Sequence, residues 1–327
     1  MTRVQKLNTR WAGLALCLTF VGVAGVIAQR GQPAPAGPPR ANQPPKLVVM
    51  IVVDQMRADY INLYSHQWTK GLRRLLDTSA SFPLARYPYS YTVTCPGHAT
   101  ISTGTYPATH GMIGNEWYDA DRRRTIVCTD DPTVTSVPFG GRPGSEHHGP
   151  TRLTALTFAD ELRLQAKRPP TVVTISQKPR SAITLAGQPG PATYAIWFEE
   201  SDGSWATSTA YATAPWPAVD AYVTAHPVAA EYGEVWNRSM AESTYLFADN
   251  GVAELAPVLF PHRLDSKSGK ADSDFTTRWR RSPLSDRYVG GLAQHLARAL
   301  KLGQASGTDV LGVSFSGVDV VGHEYGP

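Results

Sequence analysis

From residue 46 onward, short apolar runs alternate with stretches in which apolar residues recur at helical spacing. The segment from Lys46 to Val53 (KLVVMIVV) is apolar after its first residue, rich in β-branched side chains, and ends at Asp54. Such a run predicts a strand buried on both faces, as in parallel sheets. Further strands are expected at 171–175 (TVVTI), 193–198 (TYAIWF) and 309–315 (DVLGVSF). Helices are expected at 66–77, where Trp68, Leu72, Leu75 and Leu76 fall in step, and at 151–167, through Leu153, Leu156, Phe158 and Leu162. A third is expected over the Leu- and Ala-rich stretch 285–302. Strands alternating with helices predict an α/β fold, with a mainly parallel central sheet flanked by helices. From about 196 to 284, Trp, Tyr, Pro and short polar turns replace the alternation, which predicts a cap inserted in the α/β domain. No internal repeat is present.

The first 45 residues have a different texture. Residues 1–10 are basic (Arg3, Lys6, Arg10), and 11–28 form an uncharged apolar stretch ending in Val26-Ile27-Ala28. This predicts a secretory signal peptide cleaved after Ala28. The alternative is an uncleaved anchor helix, since the stretch could just span a bilayer. Cys17 does not fit a lipidation site, because a large Leu16 precedes it and the apolar run continues. Residues 29–45, rich in Pro, Ala and Gly, read as an extended linker. The expected location is the bacterial periplasm or the medium, with no stable membrane association after cleavage. The chain is 42% hydrophobic and 18% charged over 327 residues, which excludes disorder as the main state. With the basic start set aside, the net charge of +4 falls close to neutral, so nothing argues for a nucleic-acid partner. Cleavage would leave Cys95 and Cys128. An exported compartment permits a disulfide between them, and two independent buried thiols fit equally well.

Three places could carry chemistry. Asp54 stands at the C-terminal end of a buried strand, where open α/β sheets place their ligands. It could be a metal or catalytic carboxylate, or a capping Asp that starts the next turn. In Tyr91-Thr92-Val93-Thr94-Cys95-Pro96-Gly97-His98, Pro96 suits the first helical position, putting Thr94 or Cys95 at a helix N-terminus. Free N–H groups there would suit an anion such as phosphate, while a plain N-cap Thr is the other reading. After the strand 309–315, Asp319 and His323 stand four apart among glycines. They could be zinc ligands, or a loop Asp and a surface His.

Together these segments resemble the alkaline phosphatase superfamily. The resemblance rests on Asp54 after a hydrophobic strand, on the block Thr94-Cys-Pro-Gly-His-Ala-Thr-Ile-Ser-Thr-Gly-Thr-Tyr-Pro-Ala-Thr-His-Gly111, and on Asp319-Val-Val-Gly-His323. It covers residues 46–327. The chain most resembles the exported bacterial monoesterases with a threonine nucleophile, and the nucleotide pyrophosphatase/phosphodiesterases more distantly. The resemblance implies two zinc ions per complete site and a phosphorylated side chain as intermediate. It puts Thr94 on the nucleophile, Asp54 and Thr94 on one zinc, and Asp319 and His323 on the other. Asn115 matches an amide that donates to a phosphoryl oxygen, and Lys178 and Arg180 a cationic pair that grips the rest. A monoester carries two negative charges where a diester carries one, so added cations favour it, and an Arg fork suits phosphate. The substrates implied are small-molecule phosphate esters. The sulfatase branch does not fit, since Pro96 follows Cys95 directly.

The family pattern continues beyond Asp319–His323 with an adjacent Asp-His pair and a later His, all metal ligands, which this sequence lacks. The expectation is an incomplete domain over 46–327, with the C-terminal part of the fold missing, weak metal binding and little turnover. Two other functions stay open: a phosphodiesterase or nucleotide pyrophosphatase, and a non-catalytic metal- or phosphate-binding remnant.

Overall fold

The computed structural model of the protein describes residues 43–325, apart from residue 142 and residues 246–258. The signal segment 1–28, most of the linker and part of the expected cap lie outside the described residues. β1 (Leu47–Val53) is followed by helical segments α1 (Tyr60–Leu63), α2 (Gly71–Thr78), α3 (Thr94–Thr103) and α4 (Pro107–His110). Three short strands come next, β2 (Glu116–Asp119), β3 (Arg124–Val127) and β4 (Ser136–Phe139). Then follow α5 (Phe158–Gln165), β5 (Val172–Ser176), α6 (Pro179–Ala186), β6 (Thr193–Glu199), β7 (Ser204–Ser208) and α7 (Pro217–Ala225). The two-residue strands β8 (Val235–Trp236) and β9 (His262–Arg263) lead to α8 (Ser273–Arg280), α9 (Pro283–Ala299), β10 (Asp309–Phe315) and α10 (Gly317–Tyr325).

The central sheet has six strands in the order β1-β10-β5-β6-β7-β4. The first four run parallel, and β7 and β4 are antiparallel to their neighbours. This is the expected α/β architecture. Alternate residues of each strand face opposite layers. Val173, Ile175, Ile196, Phe198, Leu311 and Val313 pack with Val289, Leu292 and Leu296 of α9. On the other face, Ala195 and Trp197 meet Ala182, Ile183 and Ala186 of α6, and Val172 and Val310 meet Ala159 of α5.

Several expectations are corrected. β1 is an edge strand rather than one buried on both faces: Val49 is 49% and Ile51 55% exposed. A continuous apolar run fixes the strand but not its place in the sheet. The helix expected over 66–77 is a 3-10 turn at Ser65–Gln67 followed by α2. Between them Trp68 is held back by its Nε1, which donates to the Ile61 carbonyl at 3.0 Å. The helix expected over 151–167 begins only at Phe158. There the Thr157 hydroxyl accepts from the Asp160 N–H at 3.2 Å and the Asp160 carboxylate from the Thr157 N–H at 2.9 Å, a capping box. Ser282 and Pro283 likewise start α9 two residues before the expected position.

The stretch 196–284 shares the core of the sheet. It holds the last four residues of β6 and all of β7, both strands of the sheet, and Val219, Val223, Phe275 and Trp279 join the α9 cluster. Its aromatic texture comes from covering one face of the sheet. Among the described residues no helix is long and apolar enough to cross a membrane.

Candidate active site

The C-terminal ends of the parallel strands β1, β5 and β10 lie side by side, and each delivers a charged residue. Asp54 follows β1 directly, its N–H donating to the Phe315 carbonyl at 2.9 Å. Lys178 caps α6, two residues past β5. Asp319 lies in the first turn of α10, past β10. The Lys178 ammonium is buried between the two carboxylates, 2.6 Å from Asp54 Oδ2 and hydrogen-bonded to Asp319 Oδ2. Burial would push the Asp54 carboxyl up, yet the Lys178 charge and hydrogen bonds from Lys178 and Thr94 hold it below the ordinary carboxylate value.

Thr94 is the first residue of α3, buried at 7% exposure, and its hydroxyl donates to Asp54 Oδ2 at 3.2 Å. Val93 holds the cap position without a side-chain cap bond, so Thr94 is not a plain N-cap, and Pro96 stands third rather than first in the helix. The hydroxyl points at a carboxylate that in turn holds Lys178.

Asn115 comes in beside it. Its side-chain oxygen accepts the Cys95 N–H at 2.9 Å, and its carbonyl accepts the Cys128 N–H at 2.9 Å. That leaves the side-chain NH2 of Asn115 as a donor. Cys95 and Cys128 form a disulfide, with Cα atoms 6.7 Å apart, which closes the choice the sequence left open. The bridge pins the β2–β3 hairpin to the start of α3.

Arg180, in the first turn of α6, is half-buried, and its Nε has no hydrogen-bond partner. Burial pulls its guanidinium below the ordinary value, opposed by the Asp54 charge. With Gln177, Lys178, Ser145 and Arg280 it lines a pocket of about 220 Å³. Glu146, Glu199 and Glu200 line the same pocket, and the unpartnered Arg180 Nε remains a donor for an incoming oxyanion. His323 sits one helical turn after Asp319, Nε2 3.3 Å from Asp319 Oδ1, with its side chain 73% exposed. Asp319 and His323 thus lie on one face of a helix, not in a loop.

The structure therefore brings Asp54, Thr94, Lys178 and Asp319 into one hydrogen-bonded group, with Asn115, Arg180 and His323 at its margin. Two carboxylates that converge on one ammonium already form a pair able to hold a cation. Asp54 with Thr94, and Asp319 with His323, offer the oxygen and nitrogen donors that zinc takes. Among the described residues, no three His, Cys, Asp or Glu side chains are placed to hold one metal ion. Each ion would have two protein donors where three are usual, so the residues fit part of a two-zinc centre.

His98 was not singled out by the sequence; its one signal is its place a helical turn after Thr94. It is buried, with Nδ1 2.8 Å from the Thr94 carbonyl and Nε2 2.8 Å from Ser314 Oγ. A carbonyl only accepts, so Nδ1 carries the proton and Nε2 accepts from the serine hydroxyl, as in a neutral ring. Burial pulls its pKa below the ordinary 6.5. Below pH ~6.5 the unfolded chain takes up a proton that the folded chain refuses, so stability is lost as pH falls through that window. Denaturant midpoints should drop from pH 7 to pH 5 more steeply for the parent than for His98→Gln. Parallel slopes would show that His98 does not contribute.

The chain matches the family described as type I phosphodiesterase / nucleotide pyrophosphatase over residues 48–327. Alkaline phosphatase PhoV of Synechococcus elongatus is 30% identical over 96% of this chain and 57% of its own length. Alkaline phosphatase PafA of Elizabethkingia meningoseptica is 32% identical over 86% of this chain and 52% of its own. A solved variant of alkaline phosphatase PafA superposes with a TM-score of 0.79 at 31% identity, covering 88% of this chain and 56% of that one. That variant is substituted at a Thr, an Asn, a Lys and an Arg, with the Thr-to-Asn and Lys-to-Arg spacings of Thr94–Asn115 and Lys178–Arg180. The chain spans about half the length of the curated relatives it matches.

Proposed function

The chain belongs to the type I phosphodiesterase / nucleotide pyrophosphatase family, within the alkaline phosphatase superfamily, and from that premise we propose that its site serves hydrolysis of phosphate monoesters through a phosphothreonine at Thr94. One observation carries the reading: the Thr94 hydroxyl donates to Asp54, which shares Lys178 with Asp319, while the guanidinium Nε of Arg180 stands nearby without a hydrogen-bond partner.

Asp54 orients the Thr94 hydroxyl and accepts its hydrogen bond. Thr94 stands at the positive end of α3, which favours negative charge developing on its oxygen. The Asn115 amide and the Arg180 fork would hold phosphoryl oxygens, and Lys178 adds a second cation beside them. A bound zinc pair, held by Asp54 and Thr94 on one side and Asp319 and His323 on the other, would supply a lowered proton affinity at the Thr94 hydroxyl and stabilisation of the leaving oxygen. The basic start and the apolar stretch 11–28 support export with cleavage after Ala28, and the domain runs from residue 46.

Diester hydrolysis is the second reading, favoured by the family's own description. Phosphate binding without turnover is the third, favoured by the two donors per ion. Arg180→Ala decides between the first two. One lost charge-assisted contact is worth about 1.5–3 kcal/mol, so monoester kcat/KM should fall about 10- to 100-fold. The diester rate, measured in parallel, should fall less. An unchanged monoester preference in Arg180→Ala and Lys178→Ala would remove these two cations from the assignment.

A further inference from the structure

Asp286, in the first turn of α9, takes no part in the chemistry above, yet it ties together the two loops that carry Lys178 and Asp319. Its Oδ1 accepts the Ser316 N–H at 3.0 Å and its Oδ2 the Gly317 N–H at 2.9 Å. These are the residues that pass from β10 into α10, just ahead of Asp319. The Gln177 side-chain amide donates to the same Oδ1 at 3.2 Å and to Ser285 Oγ at 2.7 Å. Gln177 is the residue before Lys178. One half-buried carboxylate thus grips the ends of both β5 and β10.

The contact depends on glycine. A Cβ on Gly317 would lie 2.4 Å from Asp286 Oδ2, so any side chain there would drive the two apart. The N–H groups at a helix start lack intrahelical acceptors, and a carboxylate there is the favoured partner. Burial pushes the Asp286 carboxyl up, while the Gly317 and Ser316 N–H groups, Gln177 and the Lys178 charge favour its ionised form. The rest of α9 is fixed independently, through Val289, Leu292 and Leu296 in the core.

We infer that Asp286 is a positioning residue that sets the Lys178 loop against α10, and so places the Lys178 ammonium relative to Asp319 for an arriving phosphate. The inference rests on the phosphate-ester reading of the site. A simple helix cap would steady α10 alone; a positioning residue couples α10 to the loop after β5.

The test uses the 327-residue chain with Asp286→Ala, Asp286→Asn and Gly317→Ala, the last of which displaces the carboxylate without removing it. The probes are backbone amide exchange and calorimetric binding of inorganic phosphate. Gly317→Ala should speed exchange at Gln177 and Lys178, on the other loop, while the amides of α9 and β6 keep their protection. Asp286→Ala should do the same, and Asp286→Asn, which keeps an acceptor oxygen, should restore part of the protection. Phosphate affinity should fall about tenfold in Asp286→Ala and Gly317→Ala, and the double variant should lose no more than either, because both break one contact. Faster exchange confined to α10, or additive losses, would overturn the inference. If the parent chain binds no phosphate, the phosphate-ester reading fails on its own. Exchange at Gln177 and Lys178 then decides for or against Asp286.

Discussion

Lys178→Met is expected to destabilise the folded chain by about 3–5 kcal/mol at pH 7, the cost of removing one partner from a buried ion pair. The Lys178 side chain is 3% exposed, and those of its partners Asp54 and Asp319 are 11% and 10% exposed. Methionine keeps most of the volume, so the loss would come from charge rather than from a cavity. Two carboxylates would then face each other without a cation, and one would have to take up a proton or move apart.

The pH dependence follows from the signs. In the parent, the Asp54 carboxyl lies below its unfolded value, so its contribution is fully present above pH ~4 and is lost as pH falls through the folded value. In Lys178→Met the like-charge pair raises the carboxyl instead, so the deficit should be largest at neutral pH and shrink towards pH 4. If the two carboxylates are metal ligands, zinc should restore more stability to Lys178→Met than it adds to the parent, by preferential binding to the folded state. Chemical denaturation at pH 7 and pH 4, with and without zinc, checks all three. A loss under about 1 kcal/mol at pH 7 would mean that the ammonium is not holding the pair, the value expected of an exposed ion pair.

Breaking the Cys95–Cys128 bridge should have an effect of similar size. The bridge spans a sequence separation of 33, for which loop-closure entropy gives about 4 kcal/mol. Both cysteines are fully buried among Ala99, Met112 and Leu153, so a Cys95→Ala/Cys128→Ala variant also loses packing. The functional consequence is local. The bridge sits next to Thr94, and the Cys95 and Cys128 N–H groups both bond Asn115, so a looser hairpin would release the Asn115 amide from the site. Oxidised and reduced chain, compared in guanidinium titrations, should differ in midpoint by an amount matching that figure. Equal midpoints would show that the hairpin is held by its other contacts.

The sheet was legible where strands are buried on both faces. β10 matches its expected bounds, 309–315, β5 is shifted by one residue at both ends and β6 is one residue longer, because unbroken apolar runs leave little choice. β2, β3, β4 and β7 are four- or five-residue strands without such runs, and no periodicity announces them. Helix starts were misplaced where side-chain caps decide them, at Thr157 and Ser282. Apolar spacing carries no information about a cap until the capping residue is weighed.

The site was legible only in part. Asp54, Lys178 and Asp319 are more than a hundred residues apart in sequence, and their spacing says nothing of their meeting. The resemblance supplied their roles, and the parallel order β1-β10-β5 supplies the physical reason that they converge. Nothing in the sequence foretold that one ammonium would hold both carboxylates, nor that Asp286, on a distant helix, would fasten both loops. Those contacts exist only once α9 lies across the sheet. The disulfide was undecidable from two cysteines and is decided by the hairpin that carries Cys128 back to α3.

The central claim is phosphomonoester hydrolysis through Thr94. Its most direct test is hydrolysis of p-nitrophenyl phosphate and bis-p-nitrophenyl phosphate at alkaline pH with zinc supplied. The proteins compared are this chain and the longest reading frame that contains it, each with and without Thr94→Ala. The account predicts zinc-dependent cleavage that is faster for the monoester than for the diester and is abolished by Thr94→Ala. Diester cleavage faster than monoester, or turnover that survives Thr94→Ala, would contradict it.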